Sequence, residues 1–271
     1  MSAKLFEFLL SGLRSGIRGR SLQVVFALGV LTIAAAYLSG SFSPRQPRTV
    51  ALDIGFSGLR FSLVLLNLLW VQELVAREID RKTIYFSLAY PTSRGSFLVG
   101  RIAAVLGLSC VAAIILGLLL LLAVILAGGG YEQDLSPSLG LPFWLTVFGL
   151  VVDAAVVAGF ALCLATIATV PVLPLALGAA FAIAGKALGS ALDYLAAGAD
   201  GDEHLVRSVG PLLKGIRWLL PDLSRLDWRD WPLYMNQPSV ENVAWSLVMA
   251  ASYIGLTILV ATRLFQRREF S

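Results

Sequence analysis

Six apolar stretches constrain this sequence more than any other feature, because each is long enough to cross a bilayer as a helix. A helix rising about 1.5 Å per residue needs roughly 20 apolar residues to do so. Only 14% of its residues are charged, whereas soluble domains have a charged fraction of roughly 25%. We predict an all-α polytopic membrane protein with a single domain over residues 1–271. The six predicted transmembrane helices are residues 21–39, 56–76, 98–127, 142–169, 172–192 and 243–264.

Basic residues predict how these helices are oriented. Four precede the first span, five lie in residues 72–101 and three lie at the carboxyl-terminal end. Lys and Arg concentrate in cytoplasmic segments, so these three regions and both termini are predicted to be cytoplasmic. Residues 3–19 have apolar residues at helical spacing followed by arginines, which predicts an amphipathic N-terminal surface helix. A cleaved signal peptide is the alternative, although a polar lead of about 20 residues is long for one.

Three loops are then predicted on the outer side, at residues 40–55, 128–141 and 193–242. The third combines acidic residues with Trp218, Trp228 and Trp231 beside leucines. Aromatic residues are enriched where a membrane meets water, so this loop is interpreted as an interfacial anchor. A role in substrate exit or partner contact is the alternative.

Polar residues inside the predicted spans are the candidates for a pathway or a gate. Asp153 lies near mid-membrane, where a bare carboxylate is costly, and Lys186 in the adjacent span could approach it or extend outward. Asn67 lies on a polar face of the second span that Glu73 continues. For all four residues a structural contact between helices is the alternative, because polar groups in a bilayer need partners within the protein.

The sequence offers no positive sign of catalysis. The nearest approach to a phosphate-binding loop, at Lys186, lacks the required glycine and hydroxyl residues. His204 is the only histidine, and Cys110 and Cys163 both lie in apolar stretches. We therefore predict no catalytic residue, no metal site and no cofactor in this chain. The net charge of +4 is attributed to membrane orientation, with lipids rather than nucleic acid as partners.

Residues 77–94, which we call the coupling segment, mix charged and apolar residues between the second and third spans. Such a mixture suits a small docking surface with an apolar centre and a polar rim. Around it, the sequence resembles the permease subunits of ABC-2 type transporters at Glu78, Thr83, Leu88, Tyr90-Pro91, Ser93-Arg94, Phe97 and Gly100-Arg101. Lys82 departs from this pattern, because the family typically has glycine there. Residues 220–227 and 265–270 resemble the subgroup related to multicopper-enzyme maturation permeases.

This resemblance implies that the segment is a cytoplasmic coupling helix that docks on a separate ATPase. It implies two ATPase subunits that bind ATP and Mg, a second permease copy or paralogue, and export across a bacterial cytoplasmic (inner) membrane. An ion-coupled secondary transporter that uses Asp153 and Lys186, and a membrane assembly scaffold without transport, are the alternatives. The residues assigned to coupling are Glu78, Ile79, Arg81, Lys82, Thr83, Tyr85, Leu88, Pro91 and Arg94.

Overall fold

The computed structural model describes residues 2–80, 94–127, 136–197, 207, 210–211, 215–216 and 220–267. These residues form helices joined by turns, without a strand among them. The helices are α1 (Ser2–Arg18), α2 (Arg20–Ser41), α3 (Pro47–Asp80), α4 (Arg94–Ala127), α5 (Leu141–Ile167), α6 (Leu173–Ala196), α7 (Asp230–Tyr234) and α8 (Val240–Arg267).

Six of these helices are long and apolar enough to cross a membrane, namely α2 to α6 and α8. The prediction of an all-helical, multi-pass membrane protein with six spans is therefore confirmed. One boundary is wrong: the second span begins at Pro47 rather than at residue 56, so much of the predicted loop 40–55 is helical. Pro47 suits the first turn of a helix, where its missing N–H is not needed. Because Arg48 and Asp53 interrupt the apolar pattern, the sequence did not indicate that the helix begins at Pro47.

Helices α3 and α5 form the centre of the bundle. Within their most apolar windows, 56% and 67% of the residues are buried, against 22% in α2 and 11% in α8. Helix α3 packs against α2, α4 and α5, with Phe56, Leu63 and Trp70 almost completely buried. Large apolar residues stay exposed on the outer helices, as expected of surfaces that face acyl chains rather than water.

The helix predicted for residues 3–19 is present as α1, and it packs along the first half of α4. Two glycines allow the close approach. A methyl group added at Gly12 would lie 2.7 Å from the Cβ of Ala104, and one added at Gly16 would overlap Leu108. Phe8 also packs edge-on against Phe97 of α4, with ring centroids 5.6 Å apart. Helix α1 is thus joined to the residues that follow the coupling segment.

A π-helical turn at Gln72–Ala76 interrupts α3 shortly before its end. Such turns insert one extra residue into an α-helix and occur often at functional sites. Glu73 lies in this turn, and a methyl group added at Gly19 would lie 2.8 Å from its carboxylate. The last turn of α3 and the coupling segment therefore follow a local change in helix geometry that apolar periodicity did not predict.

Part of the predicted outer loop 193–242 packs closely on the bundle. Within residues 220–239, which we call the strap, Leu223 and Leu226 of a short 3₁₀ turn are fully buried. Trp228 is buried as well, its indole donating to the carbonyl of Arg225 (2.9 Å). Trp218 lies outside the described residues. The buried residues of the strap thus belong to the same hydrophobic core as the spanning helices.

Glycines on α5 and α6 make room for the strap. A methyl group at Gly149 would overlap the carbonyl oxygen of Leu226, and one at Gly185 would lie 2.8 Å from Leu223. At Gly189 it would overlap Ser224. Small residues at this spacing predict contact with another helix, but in the second half of α6, at Gly185 and Gly189, the contact is the strap.

Candidate functional site

Both ends of the coupling segment lie among the described residues. The predicted coupling residues Arg81, Lys82, Thr83, Tyr85, Leu88 and Pro91 lie outside the described residues. Glu78 and Ile79 belong to the last turn of α3, and Arg94 is the first residue of α4. Only the backbone of Arg94 is among the described parts of the chain. The structure therefore places the two ends of the segment.

An ion pair joins the last turn of α3 to α4, about two turns beyond the end of the segment. Arg101 of α4 donates from Nη2 to the Glu78 carboxylate across 2.6 Å. The arginine is only 5% exposed, lies over the ring of Phe97 and also donates to Ser11 of α1 across 3.4 Å. Hydrogen bonds between charged groups are shorter and stronger than neutral ones. Three helices are thus connected where the coupling segment leaves the bundle.

Ile79 connects the same end of α3 to another part of the fold. It is buried beside a cleft of about 30 Å³ that Thr169 and Pro171 of the α5–α6 turn also line. A displacement of the coupling segment would therefore act on α3 directly and on the α5–α6 turn through this contact.

Asp153, predicted as a pathway residue, is paired with an arginine. Its carboxylate accepts from Arg60 Nε across 2.5 Å, and the aspartate is only 1% exposed. Arg60 Nη2 also approaches the carbonyl of Ala182 in α6 (3.4 Å). The pair links α3 to α5 at a depth where an isolated charge of either sign is costly.

Lys186 takes a different partner from Asp153. Its ammonium donates to Asp227 of the strap. Arg229 donates to the same carboxylate (2.9 Å) and, from Nη1, to Asp53 and Ser57 of α3 (both 2.9 Å). Together with Arg60 and Asp153, these residues form what we call the charge network, with three cations and three anions.

Asp227 lies in the strap, outside the helices that can span a membrane. Burial raises the pKa of its carboxyl, but hydrogen bonds from Arg229 and the charges of Lys186 and Arg229 outweigh burial and lower that pKa below its ordinary value. The carboxylate is therefore held ionised. The same contacts raise the pKa of Arg229 against the effect of burial, so this part of the network stays charged on both sides.

Asn67 and Glu73, the other two predicted pathway residues, lie apart from the charge network. Asn67 is fully buried and donates to Ser109 of α4 across 2.9 Å. Glu73 lies where α3 approaches Gly19. The structure thus brings Asp153 and Lys186 into one region and places Asn67 in a contact between helices. This supports the structural interpretation of Asn67.

No family model matches this sequence, and no curated protein matches it. In the part of the chain that the structure describes, no group of three acidic, cysteine or histidine residues is arranged to hold a metal. The described part of the site consists of ion pairs and hydrogen bonds between charged side chains of α3, α5, α6 and the strap. Sequence reasoning missed Arg60 as the partner of Asp153 and missed the contributions of Asp53, Asp227 and Arg229. Two signals were present in the sequence: Arg60 is a charged residue inside an apolar span, and Asp227 and Arg229 flank Trp228.

Proposed function

We propose that this chain is the permease subunit of an ATP-binding-cassette exporter in a bacterial cytoplasmic membrane. The chain would pair with a second permease copy or a paralogue. Two separate ATPase subunits would bind ATP and Mg and dock on the coupling segment, with both termini on that side. Six helices able to span a membrane and the resemblance around residues 78–101 support the proposal.

The observation that carries it is the Glu78–Arg101 pair at the base of the coupling segment. A segment that transmits force needs both of its ends attached to elements that move together. The pair attaches the end of α3 to α4, and Ser11 adds α1. A solvated loop without a partner has no need of a buried arginine at its base, because burying a charge is costly.

In the proposed mechanism, closure of the ATPase pair moves the coupling segment and shifts the equilibrium between two permease conformations. Binding can shift such an equilibrium only if the ATPase contacts the two states with different free energies. The Glu78–Arg101 pair would carry the motion to α3 and α4, and Ile79 would carry it to the α5–α6 turn. The substrate would pass along or between the permease subunits.

Secondary transport is the weaker candidate. It would use Asp153 and Lys186 to bind the coupling ion, but both residues are engaged in ion pairs with Arg60 and Asp227. An assembly scaffold would need no Glu78–Arg101 connection between α3 and α4 at the base of the segment. We therefore retain the permease as the proposal.

Co-expression with an ATP-binding-cassette ATPase from the same organism tests the proposal. The full chain should retain the ATPase through affinity purification from membranes. The double variant Arg81→Glu/Tyr85→Ala should lose it, because both residues belong to the predicted docking surface. Arg267→Glu is the matched control, since it reverses a charge predicted on the same membrane side but outside the segment. Equal retention of the ATPase by both variants would contradict coupling through residues 77–94.

A further inference from the structure

A groove between α3 and α6 combines an apolar surface with a single charged residue. It encloses about 160 Å³. Its only charged lining residue in the described chain is Arg60, and its only other polar side chain is that of Ser57. The apolar residues that line it are Phe61, Val64, Leu65, Leu68, Ala179, Ala182 and Ile183.

The Arg60 guanidinium has N–H groups that are not used in contacts with the described residues. Nε donates to Asp153 and Nη2 makes a long contact with Ala182, whereas no acceptor from the described residues reaches Nη1. By helical rise, Arg60 lies about 20 Å from the start of α3 at Pro47. Nη1 is not among the buried polar atoms that lack a partner, and the Arg60 side chain is 17% exposed. A ligand in the groove can therefore reach this donor and supply an acceptor for it.

The polar and apolar parts of the groove are separated along α3. Ser57, which accepts from Arg229 (2.9 Å), and Arg60 lie toward one end, and Val64, Leu65 and Leu68 lie toward the other. This is the order of a headgroup followed by an acyl chain.

The groove is also open at its sides. Phe61 is 55% exposed on α3, and Ile183 is 70% exposed on α6. In a multi-pass membrane protein, such flanks face acyl chains. A lipid could therefore enter the groove sideways from the bilayer without crossing the protein.

We propose that this groove binds an anionic phospholipid, its phosphate accepting from the Arg60 guanidinium and one acyl chain lying along Leu65 and Leu68. Guanidinium recognises phosphate through paired N–H donors. An anionic headgroup is favoured over choline or ethanolamine because no acidic side chain among the described lining residues faces a cationic group. If the chain is the proposed permease, this lipid represents its substrate class, and that extension rests on the proposed function.

The test measures binding of phosphatidylglycerol and phosphatidylcholine, each in mixed micelles, to the purified full chain without any ATPase. Phosphatidylglycerol should bind more tightly. Ala179→Leu fills the groove and should weaken its binding about tenfold, equivalent to about 1.4 kcal/mol. Ala180→Leu adds the same volume at an exposed neighbour on α6 and is the matched control, with binding unchanged. Arg60→Gln/Asp153→Asn, which removes the cation without leaving a lone charge, should weaken binding by a similar factor.

Four results would overturn the proposal. These are equal affinity for the two lipids, unchanged binding by Ala179→Leu, competition by inorganic phosphate alone, and a change of oligomeric state in Ala179→Leu with no change in lipid binding. The last would identify the groove as a contact between copies. Because the lipid-binding test contains no ATPase, a negative result in it says nothing about the ATPase-retention test of the proposed function. Conversely, lipid binding by a chain that retains no ATPase would contradict only the permease assignment.

Discussion

Replacing Gly149 by alanine should loosen the strap, although alanine is the better helix former. Gly149 lies inside α5, and a methyl group there would overlap the carbonyl oxygen of Leu226 and lie 3.2 Å from the Trp228 ring. The obstacle at Leu226 is backbone, which cannot rotate away as a side chain can. The strap must therefore move away from α5 to accommodate the methyl group.

A second glycine provides the reference for the magnitude. Gly255 lies inside α8, and a methyl group there would meet nothing within 4 Å. Alanine gains about 0.5–1 kcal/mol over glycine in a helix interior, and this gain is common to both substitutions. Overpacking costs about 1–3 kcal/mol and applies only at Gly149. We therefore expect Gly149→Ala to be about 1–3 kcal/mol less stable than Gly255→Ala.

Thermal unfolding of both variants in the same detergent measures this difference. Limited trypsin digestion adds a local readout, because a displaced strap exposes the chain around Arg225 and Arg229. Gly149→Ala should be cleaved there faster than Gly255→Ala. Identical unfolding temperatures and identical cleavage of the two variants would refute the close packing of the strap against α5.

Three further predictions concern the ion pairs. Asp153→Ala should destabilise the chain by about 3–5 kcal/mol, because it leaves the Arg60 charge unpaired. The double variant Arg60→Gln/Asp153→Asn should lose much less unfolding free energy, because it leaves no unpaired charge. Denaturant unfolding in detergent measures both. If the chain is the proposed permease, Glu78→Arg should lower its stimulation of the partner ATPase, and adding Arg101→Glu should restore it, as steady-state ATP hydrolysis would show. The lowered pKa of Asp227 means that its stabilisation is present above the ordinary aspartate pKa near 3.9 and is lost as pH falls through the lowered value. Unfolding temperatures of wild type and Asp227→Asn should therefore converge at the acidic end of a pH series.

The spans were predictable from sequence because apolar length alone decides whether a helix can cross a bilayer. The beginning of α3 was not, since Asp53 looked like a loop residue until its partner Arg229 was known. Partners of buried charges depend on how helices are rotated and which loops return to the bundle. Sequence spacing made Lys186 a reasonable partner for Asp153, yet a strap residue distant in sequence takes that lysine.

Gly149 gives no signal of its own in the sequence, because a glycine in an apolar helix suits many kinds of close contact. Only the tertiary structure shows that the backbone carbonyl of Leu226 in the strap packs against Gly149. The π-helical turn at Gln72–Ala76 is similarly hidden, since one extra residue barely disturbs an apolar pattern. Local sequence thus determined the helices, and contacts between distant segments determined the candidate site.

Helix α3 is the element that both candidate regions share. Toward one end, Asp53 is tied to the strap through Arg229, and toward the other, Glu78 is tied to α4 through Arg101. These two acids are about 37 Å apart along a helix by its rise. A helix held by ion pairs at both ends transmits an axial or rocking motion with little loss if it is rigid between them. Regular α-helical geometry extends from Asp53 to Val71, and the π-helical turn at Gln72–Ala76 interrupts it only in the last part of the path, before Glu78. In the proposed permease, motion at the coupling segment would thus reach the strap through α3, and breaking the Arg229–Asp53 pair would weaken that connection while leaving the docking surface intact.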